Sequence, residues 1–171
     1  MPSVLTSEDI QALLSTAPPL VESAPHIQEQ IQPNGIDLTV KLIALFSSPG
    51  SIGFRNESRV LSHNSFLAFD NSGAIDLPAG CYLITYNEVV HLPSNIMALA
   101  LPRSSLLRCG VSIHTAVWDA GYSGRSQSLL LVHNPKGFRL YRDARVTQLV
   151  FFHLNREAAQ GYQGIFQGEN I

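Results

Sequence analysis

The chain has 171 residues and a mass of 18.7 kDa, room for one domain that buries roughly 70% of its unfolded surface. Hydrophobic residues make up 45%, which excludes a disordered chain. Charged residues are only 14% against about 25% in ordinary soluble domains, so part of the surface is expected to lie against something other than water, most simply a subunit interface. A net charge of −2 and a pI near 6.3 argue against global attraction to nucleic acid or to an anionic membrane.

In chain order, the first element is a helix. Thr6-Ser7-Glu8-Asp9 sets a hydroxyl cap ahead of two acids, Ile10, Leu13 and Leu14 supply one apolar face, and Pro18-Pro19 stops the run. From Gln28 onward the pattern is that of strands. Ile36-Asp37-Leu38-Thr39-Val40 and parts of Gly80 to Val90 alternate apolar with polar residues. Asn95 to Leu101 and Leu129 to Val132 are almost unbroken apolar runs, as expected of strands buried on both faces. Turn signals recur between them, among them Pro33-Asn34-Gly35, Ser48-Pro49-Gly50, Asn71-Ser72-Gly73 and Asn134-Pro135-Lys136-Gly137. Many short strands joined by Gly/Pro turns predict an all-β antiparallel sandwich or jelly roll with a short N-terminal helix. Neither a repeat nor a composition break divides the chain, so one domain is expected over 1–171, with a helical segment over 1–20. The Gly-, Gln- and aromatic-rich stretch 161–171 reads either as a frayed terminus or as a mobile lid that closes an aromatic ring over a ligand.

Targeting and redox signals are absent. The opening MPSVLTSEDI has no basic, apolar leader pattern, no apolar run approaches 18 residues, and Cys81 and Cys109 cannot build a disulfide scaffold. A soluble, cytoplasmic chain is expected.

Charge is distributed unevenly. From Arg103 to Arg156 there are eight basic and two acidic residues, net +6, while the rest of the chain is net −8. Such a step favours a compact anionic ligand; scattered arginines on strand edges are the plain alternative. Phosphate-loop, dinucleotide, HExxH, CxxC and GxSxG motifs are all missing, and the six histidines have no zinc-site spacing. Three clusters remain. Pro102-Arg103-Ser104-Ser105 joins a guanidinium to two hydroxyls, the makings of a phosphate cradle. Trp118-Asp119-Ala120-Gly121-Tyr122-Ser123-Gly124 offers a lone carboxylate able to polarise a water and a tyrosine ring in a Gly-flanked turn. Arg142 to Gln148 adds further cations and an amide. Each has a structural alternative: an Asx turn for Asp119, the core for Tyr122, an acidic neighbour for Arg103. Together, within one net-basic stretch of chain from Arg103 to Arg156, they point to a triphosphate site.

The set Gln32-Pro33-Asn34-Gly35-Ile36-Asp37-Leu38, Pro102-Arg103-Ser104-Ser105, Trp118 to Gly124, Arg145-Val146-Thr147-Gln148-Leu149-Val150-Phe151-Phe152 and the aromatic, Gln-rich tail resembles the dUTPase and dCTP deaminase superfamily. The order and spacing match over essentially the whole chain, most like a deaminase-like, archaeal-type dUTPase. The resemblance implies a distorted β jelly-roll subunit, a homotrimer with active sites at subunit boundaries, and dUTP as substrate, hydrolysed to dUMP and pyrophosphate. It implies Asp119 as the water-activating carboxylate and Tyr122 packed under the deoxyribose. Arg103, Ser104 and Ser105 would hold phosphates from a neighbouring subunit. Arg145 would be braced by Asp37, Gln148 would orient a turn or ligand group, and Tyr162, Phe166 and Gln167 would belong to the closing tail. Uracil would be read by backbone around Ile113 to Ala116, with Thr115 and Ala116 in contact. Magnesium would be held mainly through the substrate phosphates rather than by a protein cage. Deaminases of the group carry a glutamate a few residues past the Gly of the third motif. Here that position is Leu129 counted from Gly124, or Leu131 counted from Asn134, and no acid lies between Asp119 and Asp143. dUTP hydrolysis is therefore expected, with a dCTP deaminase or a non-catalytic nucleotide-binding module as the alternatives.

Overall fold

The computed structural model describes residues 3–171. The first helix, α1 (Ser7–Leu14), forms for a local reason: Thr6 and Asp9 cap each other's backbone, and Ile10 is buried completely. Two short helices follow later, α2 (Ile27–Gln30) and α3 (Ser104–Arg108). The strands are β1 (Val21–Glu22), β2 (Ile31–Gln32), β3 (Gly35–Phe46), β4 (Asn64–Phe66), β5 (Ala74–Leu77), β6 (Gly80–Tyr86) and β7 (Val89–His91). They continue with β8 (Ile96–Pro102), β9 (Val111–His114), β10 (Ser123–Gly124), β11 (Gln127–Val132), β12 (Phe138–Tyr141) and β13 (Arg145–His153).

The main sheet runs in the order β8-β13-β3-β6-β11-β9, every neighbouring pair antiparallel, with β2 and β4 pairing on β3. Past β9 the chain returns to the opposite edge, where Trp118 and Ala98 exchange backbone hydrogen bonds of 2.9 and 3.1 Å. That bridge nearly closes the sheet and shields its edges, as jelly-roll folds do. Two small sheets, β1-β7-β10 and β12-β5, flank it. Strands make up 41% of the protein and helices 12%, so the all-β expectation holds and the N-terminal helix lies where its caps place it.

The core sits inside this wrapped sheet. Ile36, Leu38, Val40, Ile43, Ile84, Leu130, Leu149 and Phe151 are all fully buried. One expectation is corrected. β8 is not buried on both faces: Ile96, Ala98 and Ala100 point inward, whereas Leu99 is 42% and Leu101 70% exposed. An antiparallel strand turns alternate residues to opposite faces, and this chain covers only one of them. Leu107 and Val117, also exposed, extend the apolar strip.

Candidate active site

The Asp119–Gly124 loop is built by three constraints. Trp118 is pinned on one side by its backbone pairing with Ala98 and on the other by its indole N–H, which donates to the buried Ser126 hydroxyl at 3.0 Å. Gly121 takes φ +84°, which a side chain would resist, and an added Cβ would come within 2.7 Å of the Gly161 backbone. Tyr122 N–H closes the turn on the Asp119 carbonyl at 3.1 Å. Asp119, the residue between these anchors, is left exposed.

Its carboxylate opens on a cleft of about 820 Å³. Trp118, Tyr122, Tyr162 and Phe166 give it aromatic walls, Ala116, Ser126 and Gln127 contribute to the floor, and the arm 50–62 forms the far side. That arm is held as a hairpin by Ser51 and Val60, which exchange two 2.8 Å backbone bonds. The two carboxylates among the cleft-lining residues are Asp119 and Glu169, and neither lysine nor arginine lines it. Arg59 stands at its edge, its guanidinium 6.0 Å from the Phe166 ring centroid.

Tyr122 is 5% exposed and meets the cleft with part of its ring. It packs edge-on to Tyr162 at 5.7 Å and donates its hydroxyl to Glu169 Oε1 at 2.9 Å. Burial, with the Glu169 charge beside it, pushes the Tyr122 pKa upward, so the hydroxyl stays a donor. Burial also raises the pKa of Glu169, against the opposing pull of the Tyr122 hydrogen bond.

The tail is laid against the same loop. The Tyr162 amide donates to the Ala120 carbonyl at 2.8 Å, and the Gly168 amide to the Ser123 carbonyl at 2.8 Å. Gln167 brackets the loop, donating to the Gly121 carbonyl and accepting from the Ser123 amide, both at 3.0 Å. Arg125 then anchors the last residues through the Glu169 and Asn170 carbonyls.

The cationic residues form a second group at another corner. Arg103 follows β8, its backbone amide bonded to the Val146 carbonyl, and Ser104 and Ser105 start α3, both exposed. Asp37, 1% exposed, faces Arg103 Nε at 3.2 Å and Arg145 Nη1 at 3.6 Å, and neither of its oxygens receives an aligned hydrogen bond. Burial raises its pKa while the two guanidiniums draw it down. The expected bracing of Arg145 by Asp37 is thus present and extends to Arg103. Arg145 also donates to the Glu29 carbonyl at 2.5 Å. Gln148 donates to the Asn34 carbonyl at 3.4 Å, which ties it to the Pro33-Asn34-Gly35 turn.

Within one chain the two groups stay apart. Asp119 adjoins Trp118, which pairs with Ala98, and Arg103 lies five residues further along the same strand, roughly 16 Å away. Of the expected site residues, Ala116, Asp119, Tyr122, Tyr162 and Phe166 line the cleft and Gln167 brackets its loop. Arg103, Ser104, Ser105, Thr115, Arg145 and Gln148 do not line it; Thr115 directs its hydroxyl to the Ala100 carbonyl at 3.4 Å. Two contributors were missed from sequence. Glu169 had no local signal beyond an acid placed after Gln167-Gly168, and the arm 50–62 showed only its turn.

The deaminase question has a structural counterpart. On β11, Leu129 pairs with Leu83 on one side and His114 on the other, and Leu131 with Cys81 and Ser112. Neither position carries a carboxylate. Among the described residues no three His, Cys, Asp or Glu side chains gather as a metal cage, and no helix is long and apolar enough to cross a membrane.

The nearly closed antiparallel jelly roll carries an acidic, aromatic-walled cleft beside its bridging pair, and comparison with known proteins gives its family. Residues 4–154 match the dCTP deaminase-like family model, so the chain belongs to that family. It is 47% identical over 168 residues, 98% of either chain, to a Methanosarcina barkeri protein named probable deoxyuridine 5'-triphosphate nucleotidohydrolase. It is 38% identical over 142 residues, 82% of this chain and 89% of the other, to the deoxyuridine 5'-triphosphate nucleotidohydrolase of Methanocaldococcus jannaschii. The crystal structure of the Agrobacterium tumefaciens 2'-deoxycytidine 5'-triphosphate deaminase shares the fold, with a TM-score of 0.66 at 21% identity over 89% of this chain; this chain spans about half of that one, 48%.

Proposed function

We propose that this protein is a dUTP diphosphatase, hydrolysing dUTP to dUMP and pyrophosphate in the cytoplasm. The observation that carries the reading is the pairing of an exposed Asp119 in an aromatic cleft with leucines at Leu129 and Leu131, where a deaminase would need its glutamate. Glu169 does not stand in for that glutamate: it lies on the tail rather than on β11, with Oε1 accepting the Tyr122 hydroxyl. A base lost from that strand removes a contribution of about 10²–10⁴ to deamination, while the carboxylate needed to ready a water for phosphorus is in place.

In this reading Asp119 accepts a proton from a water held for in-line attack on the α-phosphorus. Tyr122 presents its ring edge to the deoxyribose, where a 2'-hydroxyl collides, so selectivity comes from exclusion. Backbone groups near Ala116 face the uracil edge, and Phe166 covers the base.

A triphosphate brings about four negative charges, and no cation of the same chain lines the cleft. Arg103, with Ser104 and Ser105, then serves a neighbouring copy's cleft, Asp37 holding its guanidinium in place. Leu99 and Leu101 lie on the strand between the two groups, with Val117 beside the bridging pair and Leu107 on α3, and these exposed apolar side chains are the face that copies bury in a homotrimer. A divalent cation, Mg²⁺, suits an open site with Asp119 and a polyphosphate, and does not suit an all-protein cage. When bound it supplies charge neutralisation to the phosphates.

Incubation of the purified protein with dUTP, dCTP or dTTP in Mg²⁺ tests the proposal. Pyrophosphate released from dUTP alone is the expected outcome. Ammonia released from dCTP would overturn the exclusion of deamination, and inertness toward all three would leave a binding module.

A further inference from the structure

Tyr122 and the tail meet in a way that the hydrolysis chemistry does not require. The Tyr122 hydroxyl is given to Glu169, which itself lines the cleft and is the only tail side chain that this hydroxyl bonds. Gly124 makes room for the pair: an added Cβ would stand 2.7 Å from the Tyr122 oxygen and 3.2 Å from Glu169 Cγ. Gly121 does the same for the other end of the tail at Gly161. The loop is therefore shaped at two points to receive the tail closely. No lysine or arginine follows Arg156, so the tail brings an acid rather than a phosphate-binding cation to the cleft.

We infer that Glu169 is a positioning residue for substrate specificity, latching the tail closed through the Tyr122 hydroxyl so that closure depends on where the sugar leaves the Tyr122 ring. The inference rests on the dUTPase reading for the sugar and on geometry alone for the latch. A deoxyribose leaves the ring in place, the hydroxyl stays on Glu169, and the tail remains down with Phe166 over the cleft. A ribose pushes the ring, the hydroxyl leaves its acceptor, and the tail lifts. Discrimination then acts on turnover as well as on binding, because only the closed cleft excludes bulk water. The ring and hydroxyl of one residue carry separable duties: the ring senses the sugar and the hydroxyl reports to the tail.

Tyr122→Phe keeps the ring and removes the report, Glu169→Ala removes the acceptor, and Glu169→Gln keeps an acceptor oxygen. Hydrogen exchange in the full-length protein, followed at the Tyr162 and Gly168 amides, reads the latch without any nucleotide. Both Tyr122→Phe and Glu169→Ala should speed exchange by about tenfold, the double variant no further, and Glu169→Gln should stay near wild type. With nucleotide, the two latch-breaking variants should lose about tenfold in kcat for dUTP with KM changed by less, and the dUTP-over-UTP ratio in kcat should fall by a similar factor, again restored by Glu169→Gln. Unchanged exchange in both single variants, or additive effects in the double, overturns the latch. Faster exchange with an unchanged dUTP-over-UTP ratio overturns its coupling to the sugar. If the wild type neither binds nor hydrolyses dUTP while exchange behaves as expected, the nucleotide reading falls and the latch stands.

Discussion

The two ends of β8 hold opposite chemistries. Beside Ala98, the Asp119 loop is acidic, aromatic and lined by no cation; beyond Pro102, Arg103 and Arg145 surround a buried Asp37 with two exposed serines at hand. In the proposed reading neither end holds a triphosphate over a water-activating carboxylate alone: no lysine or arginine lines the first, where Arg59 stands only at the edge, and the carboxylate gathered by the arginines of the second is the buried Asp37. A strand separates them rigidly, so no side-chain motion within the chain bridges roughly 16 Å. In the proposed homotrimer symmetry joins them, with the exposed apolar side chains Leu99, Leu101, Leu107 and Val117 as the face where copies meet.

The largest expected effect comes from breaking the acidic end. Asp119→Asn should lower kcat on dUTP by about 10²–10⁴ while nucleotide affinity, measured by calorimetry, changes little; turnover near wild type would remove Asp119 from its role. Next is the join itself. Leu101→Asp puts a charge on the outward face of β8 at a position that is 70% exposed. It should dissociate the assembly, seen by light scattering, and lower activity by about tenfold or more while far-UV circular dichroism stays that of a β fold. An intact, active oligomer would show that the strip is not the interface. The smallest effect is on pH. Glu169 in the closed arrangement has its pKa raised, mainly by burial, so closing the tail takes up a proton. Facing it are Tyr122, Tyr162 through that ring, and Arg125 through backbone contacts. Tail closure is thus favoured at low pH and weakens as pH rises through the raised closed-state value of Glu169; protection of the Gly168 amide, corrected for intrinsic exchange, should grow as pH falls toward the ordinary carboxylate range. A flat profile would show Glu169 to be solvated.

How far the sequence reached depended on whether a feature was local. The Thr6–Asp9 cap, the Pro33-Asn34-Gly35 turn and the strand β3 are set by neighbours a few residues apart and lie where the pattern placed them, although the polar face of the β3 alternation, Asp37 and Thr39, is buried as well. The bracing aspartate was legible too, because an acid inside an apolar strand needs a cationic partner and the basic stretch supplied one. The outward face of β8 was not: an unbroken apolar run has no period to show which residues point out, and here both faces of the strand carry apolar side chains. Glu169 was invisible for another reason. Its partner lies 47 residues earlier, and nothing in a Gly-rich tail fixes where a carboxylate will land until the loop glycines are seen to make room for it. The arm 50–62 joins the cleft through a hairpin whose strands are too short to register as strands.

Mixing two inactive variants tests the shared site directly. Asp119→Asn and Arg103→Ala proteins, each inactive alone, are unfolded or dissociated together and reassembled at equal concentrations. Sites completed across copies predict recovery of activity toward about a quarter of the wild-type level, the share of random pairings that unite an intact Asp119 with an intact Arg103. A mixture as inactive as its parents, from subunits shown to have exchanged, would mean that each chain uses its own Arg103 and that the two ends of β8 do not work across copies.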